Sequence, residues 1–414
     1  MKFLSAVCVC LALAAAAPAS FAAAQPRADD APIILRQVIL TRHGVRAPTQ
    51  PAQTLESWSA RPWPAWPVDR ARLTPRGAEL VRAFWAARRG EMTAQGLLPA
   101  DRCPKEGELS VRADVDQRTR ATAEALLEGL APGCGLRWQS SDTGADPLFN
   151  AVRAKKARYS QEALGAAVTP EKLDQLKAEH AEDLALLQEI TGCCAPSLCK
   201  AYGIDSPCAL ADLPMSLAVS RKGRSANIRG SMGVAASAAE ILLLEFAQWP
   251  ERNAGWGMVD ETVLRRLLDA HTATFSLLNR SLPAAMARGS ILLSAIRGRL
   301  LDEAAPRLTV YVGHDTNLAN IGGLLGLEWQ LPGYPPNATP PGTALIFSLC
   351  RLPNDSQRID VSLSAYSLAA LHAPDPSALP PEASLTVQAG FPSCKTPCTP
   401  YAFSLLVDDI LTTK

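Results

Sequence analysis

The sequence predicts an α/β fold with a mainly parallel central sheet flanked by helices and an inserted, mostly helical second domain. Three observations carry that reading. Two β-branched runs, IILRQVILTRHG (33–44) and LTVYVGHD (308–315), each end in a polar cluster. Helical patterns follow both runs. Between them, residues 151–250 lose β-branched runs and become rich in Ala, Leu, Glu and Lys. Strand and helix units interrupted by a helical block imply two layers with an insertion.

The chain has 414 residues, enough for two or three domains or one large domain with an insertion. The expected divisions are a leader over 1–24, an α/β domain over 30–150 and 259–414, and a helical lid over 151–258. Lys and Arg total 41 against 40 Asp and Glu, so bulk charge does not suit a nucleic-acid binder. With 48% hydrophobic and 20% charged residues, the chain has the composition of a folded protein.

The elements follow in order. Residues 33–44 read as a buried strand feeding a loop. LTPRGAELVRAFWAARRGEM (73–92) starts a helix with Thr74 as N-cap and Pro75 at the first helical position. ELSVRADVD (108–116) reads as a strand and QRTRATAEALLEGL (117–130) as a helix. EKLDQLKAEHAEDLALLQEI (171–190) has helical periodicity, and ILLLEFAQW (241–249) reads as a core helix. LTVYVGHD is a strand, NLANIGGLLGL (317–327) a helix, and TALIFSLCRL (343–352) and IDVSLSAYS (359–367) are late strands.

The opening MKFLSAVCVCLALAAAAPASFAAAQ reads as an export signal. Lys2 is its positive start, residues 3–17 are apolar or small, and Ala22-Ala23-Ala24 offers the cleavage site. The run is shorter than the about 20 residues that a membrane span needs, so no membrane contact is expected after cleavage. Of eleven cysteines, Cys8 and Cys10 lie in the leader and nine remain. An oxidising compartment permits disulfides. The expected local pairs are Cys103 with Cys134, Cys199 with Cys208, and Cys394 with Cys398. Cys193, Cys194 and Cys350 are left over, and their odd number leaves at least one free thiol or an intermolecular bond. A thiol metal site at CC-x4-C is disfavoured, because no His lies nearby and the spacing does not suit a zinc tetrahedron.

The chemistry concentrates at the two strand ends, where open α/β sheets bind ligands. In Arg42-His43-Gly44-Val45-Arg46 two guanidinium groups flank one imidazole. Arg grips phosphate oxygens with a planar fork. Gly44 permits a tight turn and a close backbone approach. Flanking positive charge keeps His43 neutral, so it can attack phosphorus. Arg118-Thr119-Arg120 opens a helix beside the same pocket. His314 is placed to donate to a phosphoryl oxygen. Asp315 is placed to protonate a leaving alkoxide and then to activate water. Three arginines and two histidines around one anion stabilise developing charge without a metal.

TRHGVRAPT with a distant GHDTN resembles the histidine acid phosphatases, in particular the periplasmic bacterial phytases and glucose-1-phosphatases. WPAWPV (63–68), LTPRGAEL (73–80), ADVDQRTRATAEALLEGLAPGC (113–134), DPLFN (146–150), GWG (255–257) and GHDTNLANIGGLLGL (313–327) extend the similarity over nearly the whole chain. The resemblance implies a phosphoglycerate-mutase-like α/β domain with a helical domain, and acid phosphomonoesterase activity on a small phosphate ester. It implies no cofactor or metal, a periplasmic location and a monomer. It assigns His43 as nucleophile, Asp315 as proton donor, and Arg42, Arg46, Arg120 and His314 as the phosphate clamp. Thr49, Gln50, Asp116, Glu240, Phe275 and Thr316 fall on substrate-pocket positions. Gly44-Val45 favours phytate over glucose 1-phosphate. Two departures count against it: Gln50 stands where phytases often carry Lys, and Ser237 where they often carry Met. Arg221, Lys222, Arg224 and Arg229 offer charge from the lid or form a solvated face. Of the remaining histidines, His180 reads as surface, His271 as cleft or packing, and His372 as loop.

Overall fold

The computed structural model describes residues 32–105 and 107–412. The leader expected over 1–24 lies outside the described residues. In chain order the elements are β1 (Ile33–Arg42), α1 (Ala52–Trp58), α2 (Pro75–Ala94), β2 (Leu109–Ala113), α3 (Gln117–Leu130), α4 (Gln161–Ala167), α5 (Pro170–Glu179), α6 (Ala181–Thr191), α7 (Pro196–Ala201), β3 (Ser216–Val219), β4 (Ala226–Arg229), α8 (Ser231–Gln248), α9 (Glu261–Asn279), α10 (Leu282–Leu301), β5 (Leu308–Gly313), α11 (Asp315–Leu325), β6 (Ala344–Arg351), β7 (Gln357–Tyr366), α12 (Leu368–Leu371), β8 (Ser384–Gln388) and α13 (Pro400–Thr412).

Six strands form one sheet in the order β2-β5-β1-β6-β7-β8. It is mixed. The pairings β2–β5 and β5–β1 are parallel, and β1–β6, β6–β7 and β7–β8 are antiparallel. The parallel character therefore belongs to the half of the sheet where helices intervene between strands. In the other half, β6 and β7 pair antiparallel because the connection that joins them is too short for a helical crossover. β1 and β5 are central and apolar, and every residue of β5 is buried.

Local chemistry sets the helix starts. Thr74 accepts from Gly77 N–H at 2.9 Å and Pro75 opens α2. α2 then packs along α3 and against the loop after β1, with a glycine at each close approach. A Cβ on Gly77 would sit 2.1 Å from the Val45 carbonyl oxygen, and one on Gly129 2.2 Å from that of Arg82. The block 151–258 contains α4 to α8 and also the β3–β4 hairpin. Its longest helix, α8, is buried on nearly every face and packs along α9. Among the described residues no helix is long and apolar enough to cross a membrane.

The three expected disulfides form: Cys103–Cys134, Cys199–Cys208 and Cys394–Cys398. The adjacent Cys193 and Cys194 bond to each other. Cys350 is the free cysteine among the described residues, buried in β6, and burial pushes its thiol up to about 12.

Candidate active site

Three neighbouring parallel strands end at the same edge. Arg42 pairs with Gly313 in the β1–β5 register, and His43 N–H donates to the Gly313 carbonyl at 3.0 Å. Asp114, just beyond β2, donates its N–H to Val312 at 3.0 Å. Sheet register thus brings residues 42–46, 114–118 and 314–315 together from distant parts of the chain. The N-termini of α3 and α11 open onto this cluster, a favourable setting for an anion. Asn317 fixes one corner: its Oδ1 accepts from His314 N–H at 2.9 Å and its Nδ2 donates to the Phe149 carbonyl at 2.7 Å.

His43 is buried at the centre. Its Nδ1 lies 2.8 Å from the Gly44 carbonyl oxygen, which can only accept. Nδ1 therefore carries the proton and Nε2 keeps its lone pair. Burial, reinforced by Arg118, Arg46 and Arg42, holds the imidazole pKa well below its usual 6.5. The His314 ring stands edge-on, 5.6 Å away between centroids. Gly44 is packed against α2. A Cβ there would lie 2.7 Å from Val81 Cγ2 and 2.9 Å from the Gly77 carbonyl oxygen in α2.

Arg42 is held by the Thr339 carbonyl and by Glu240 of α8, and its Nη2 lies 3.3 Å from Asp315 Oδ2. Arg46 Nη2 is 3.6 Å from the same Glu240 oxygen, and burial lowers its pKa to about 10. Burial alone would raise the Asp315 carboxyl, but Arg42, Arg46 and His314 outweigh it and hold the group at about 2.

The third arginine of the cluster is Arg118, not Arg120. Arg118 Nη2 lies 3.3 Å from His314 Nδ1 and 2.8 Å from Asp116 Oδ2. Arg120 bonds Ser140 Oγ at 3.3 Å and the Ser141 carbonyl at 3.2 Å instead. Residues two apart on a helix point to nearly opposite sides, so only one of the pair can face the pocket. Asp116 stands at the N-terminal boundary of α3, its side chain makes no cap bond, and it accepts from Arg153 at 3.0 Å. Its position is that of a brace for arginines.

The cleft beside Asp315 is lined by Gln50, Ser237, Glu240, His271 and Phe275, among others. Phe275 stacks on His271, with rings 17° from parallel. Thr316 accepts from Arg288 Nη2 at 3.2 Å. Thr49 is exposed and donates to Gln50 Oε1 at 3.3 Å. His180 is buried and lies 3.0 Å from Asp183, so it is not a surface residue. His372 stacks on Phe246.

Sequence reasoning missed Asp114, Arg288 and Arg153. Asp114 Oδ2 lies 2.8 Å from His314 Nε2. Its signal was its place at the end of a strand, the feature that marked the other two clusters.

The model for the histidine phosphatase superfamily (branch 2) matches residues 34–201. Phytase AppA of Escherichia coli K12 is 36% identical over 373 residues, covering 84% of this chain and 85% of that protein. A glucose-1-phosphatase of Salmonella typhimurium is 28% identical, covering 76% of each chain. The apo form of Hafnia alvei phytase superposes with a TM-score of 0.84 at 34% identity, covering 94% of this chain and 98% of that one. The chain belongs to branch 2 of the histidine phosphatase superfamily.

Proposed function

We propose that this protein is an exported, periplasmic, monomeric acid phosphatase that hydrolyses phytate and related phosphate monoesters through a phosphohistidine. The observation that carries the reading is His43: a buried, neutral imidazole with its Nε2 lone pair free, set among Arg42, Arg46 and Arg118 and beside Asp315. His43 Nε2 attacks phosphorus as the phosphorus–oxygen bond to the leaving group breaks. Asp315 gives its proton to the departing alkoxide. The arginines bind the equatorial oxygens, and His314, its Nε2 directed to Asp114, holds Arg118 in place through Nδ1. Asp315, now a carboxylate, takes a proton from water as that water attacks the phosphohistidine. Inorganic phosphate leaves, and His43 and protonated Asp315 are restored.

Arg42, Arg46 and His314 hold Asp315 at about 2, yet it must enter the reaction protonated. The incoming phosphate supplies the difference, because its negative charge offsets Arg42 and Arg46 and raises the carboxyl. An acid optimum follows.

A glucose-1-phosphatase is the second reading, and one observation favours it: neutral Gln50 lines the cleft. The kcat/KM ratio of phytate to glucose 1-phosphate at acid pH separates the two. A ratio well above one supports phytate. A ratio at or below one overturns it and leaves the phosphatase mechanism standing.

A further inference from the structure

Two loops far apart in sequence form one cationic surface beside the site. Residues 153–158 read RAKKAR and residues 221–224 read RKGR. Neither stretch contains an acid, in a chain whose net charge is only +1. The loops are joined by backbone. Tyr159 N–H donates to the Gly223 carbonyl at 2.9 Å. Arg224 Nη1 donates to the Ala157 carbonyl at 2.8 Å and lies 3.2 Å from that of Val152. A Cβ on Gly223 would fall 2.5 Å from the Tyr159 carbonyl oxygen, so the β3–β4 turn seats against the other loop. Lys155, Lys156, Arg158, Arg221 and Lys222 are exposed.

This surface connects to the site at three points. Arg153 reaches Asp116, which braces Arg118. The Tyr159 hydroxyl accepts from Arg288 Nη1 at 3.3 Å, and Nη2 of the same guanidinium reaches Thr316, next to Asp315. Asn227, on the strand leaving the β3–β4 turn, lines the cleft.

We propose that this surface is a specificity element, which draws in and holds the phosphates of a polyphosphorylated substrate that are not being cleaved. It rests on the phytase reading and deepens it. A monoester carries one phosphate, which the buried arginines already bind. A polyphosphate has further dianionic groups that project beyond the pocket. Clustered charge beside a cleft raises encounter rates with such a ligand. It also supplies the cation that Gln50 does not.

The test neutralises Lys155, Lys156, Arg158, Arg221 and Lys222 to Gln, with K155Q/K156Q as a milder variant. Each protein is assayed on phytate and on p-nitrophenyl phosphate across ionic strength. The variants should lose kcat/KM for phytate by about tenfold at low salt, with p-nitrophenyl phosphate unchanged. The gap should close by about 0.5 M salt, where screening lengths fall to a few ångströms. Wild-type kcat/KM should fall more steeply with salt for phytate than for the monoester. Equal phytate kinetics in wild type and variants, or parallel salt slopes for the two substrates, overturn the proposal and leave the phytase reading intact. Wild-type protein that cleaves p-nitrophenyl phosphate but not phytate overturns both.

Discussion

Asp114 Oδ2 and His314 Nε2 lie 2.8 Å apart, both buried at the end of the parallel strands. The carboxylate fixes which His314 nitrogen carries the proton toward the protein, and so which nitrogen faces Arg118. Asp114→Asn should lower kcat on p-nitrophenyl phosphate by about tenfold to a hundredfold, because an amide no longer enforces that orientation. Unchanged kcat would show that Asp114 is only a packing group.

Arg118 and Arg120 separate sharply. Arg118→Ala should cost about a hundredfold to a thousandfold in kcat/KM, the scale of losing one anion-stabilising donor. Arg120→Ala removes bonds to Ser140 and Ser141 and should change kcat/KM by less than about threefold, in line with a site outside the pocket. Steady-state kinetics on both variants decide which guanidinium belongs to the clamp.

Stability should fall with acid, and two groups push the same way. The Asp315 pKa is depressed from 3.8 to about 2 on folding. Its contribution is present above the unfolded value and lost as pH falls through about 2. The His43 pKa is also depressed, so the unfolded chain takes up a proton below about 6.5 that the folded chain refuses. Native stability therefore declines from pH 6.5 downward. His43→Asn should flatten the Tm profile between pH 6.5 and 5. A variant profile parallel to wild type there would place the His43 pKa near its ordinary value.

Gly77 is where α2 meets the site loop. Its missing side chain leaves room for the Val45 carbonyl oxygen, 2.1 Å from an ideal Cβ. Gly77→Ala should destabilise the protein by about 1–3 kcal/mol, the usual cost of overpacking, and should displace the 43–46 loop. Both Tm and kcat should drop. A fall in Tm with full activity would show that the loop adjusts without moving His43.

Much of this site is legible in one dimension, because its chemistry sits in two short runs at strand ends. Arg42, His43 and Arg46 fall within five residues, and His314 and Asp315 are adjacent. Arg118 versus Arg120 is not legible that way. The choice depends on the rotation of α3 about its axis, which no local pattern of residues fixes. Asp114 was hidden for a similar reason: its role exists only once β2 lies beside β5. The mixed sheet was half visible, since apolar strand patterns do not reveal pairing direction and only the short β6–β7 connection does. The cationic surface was visible as two charge runs, but nothing local shows that Gly223 and Tyr159 bring them together.

The central claim is a covalent bond between His43 and phosphorus. The most direct measurement is to mix enzyme with a phosphate-labelled monoester, quench within milliseconds in alkali, where phosphohistidine survives, and map the label. Label on the peptide carrying His43, absent from His43→Ala and prolonged in Asp315→Asn, is the predicted result. Rapid turnover with no protein-bound label, or label retained in His43→Ala, would contradict the account.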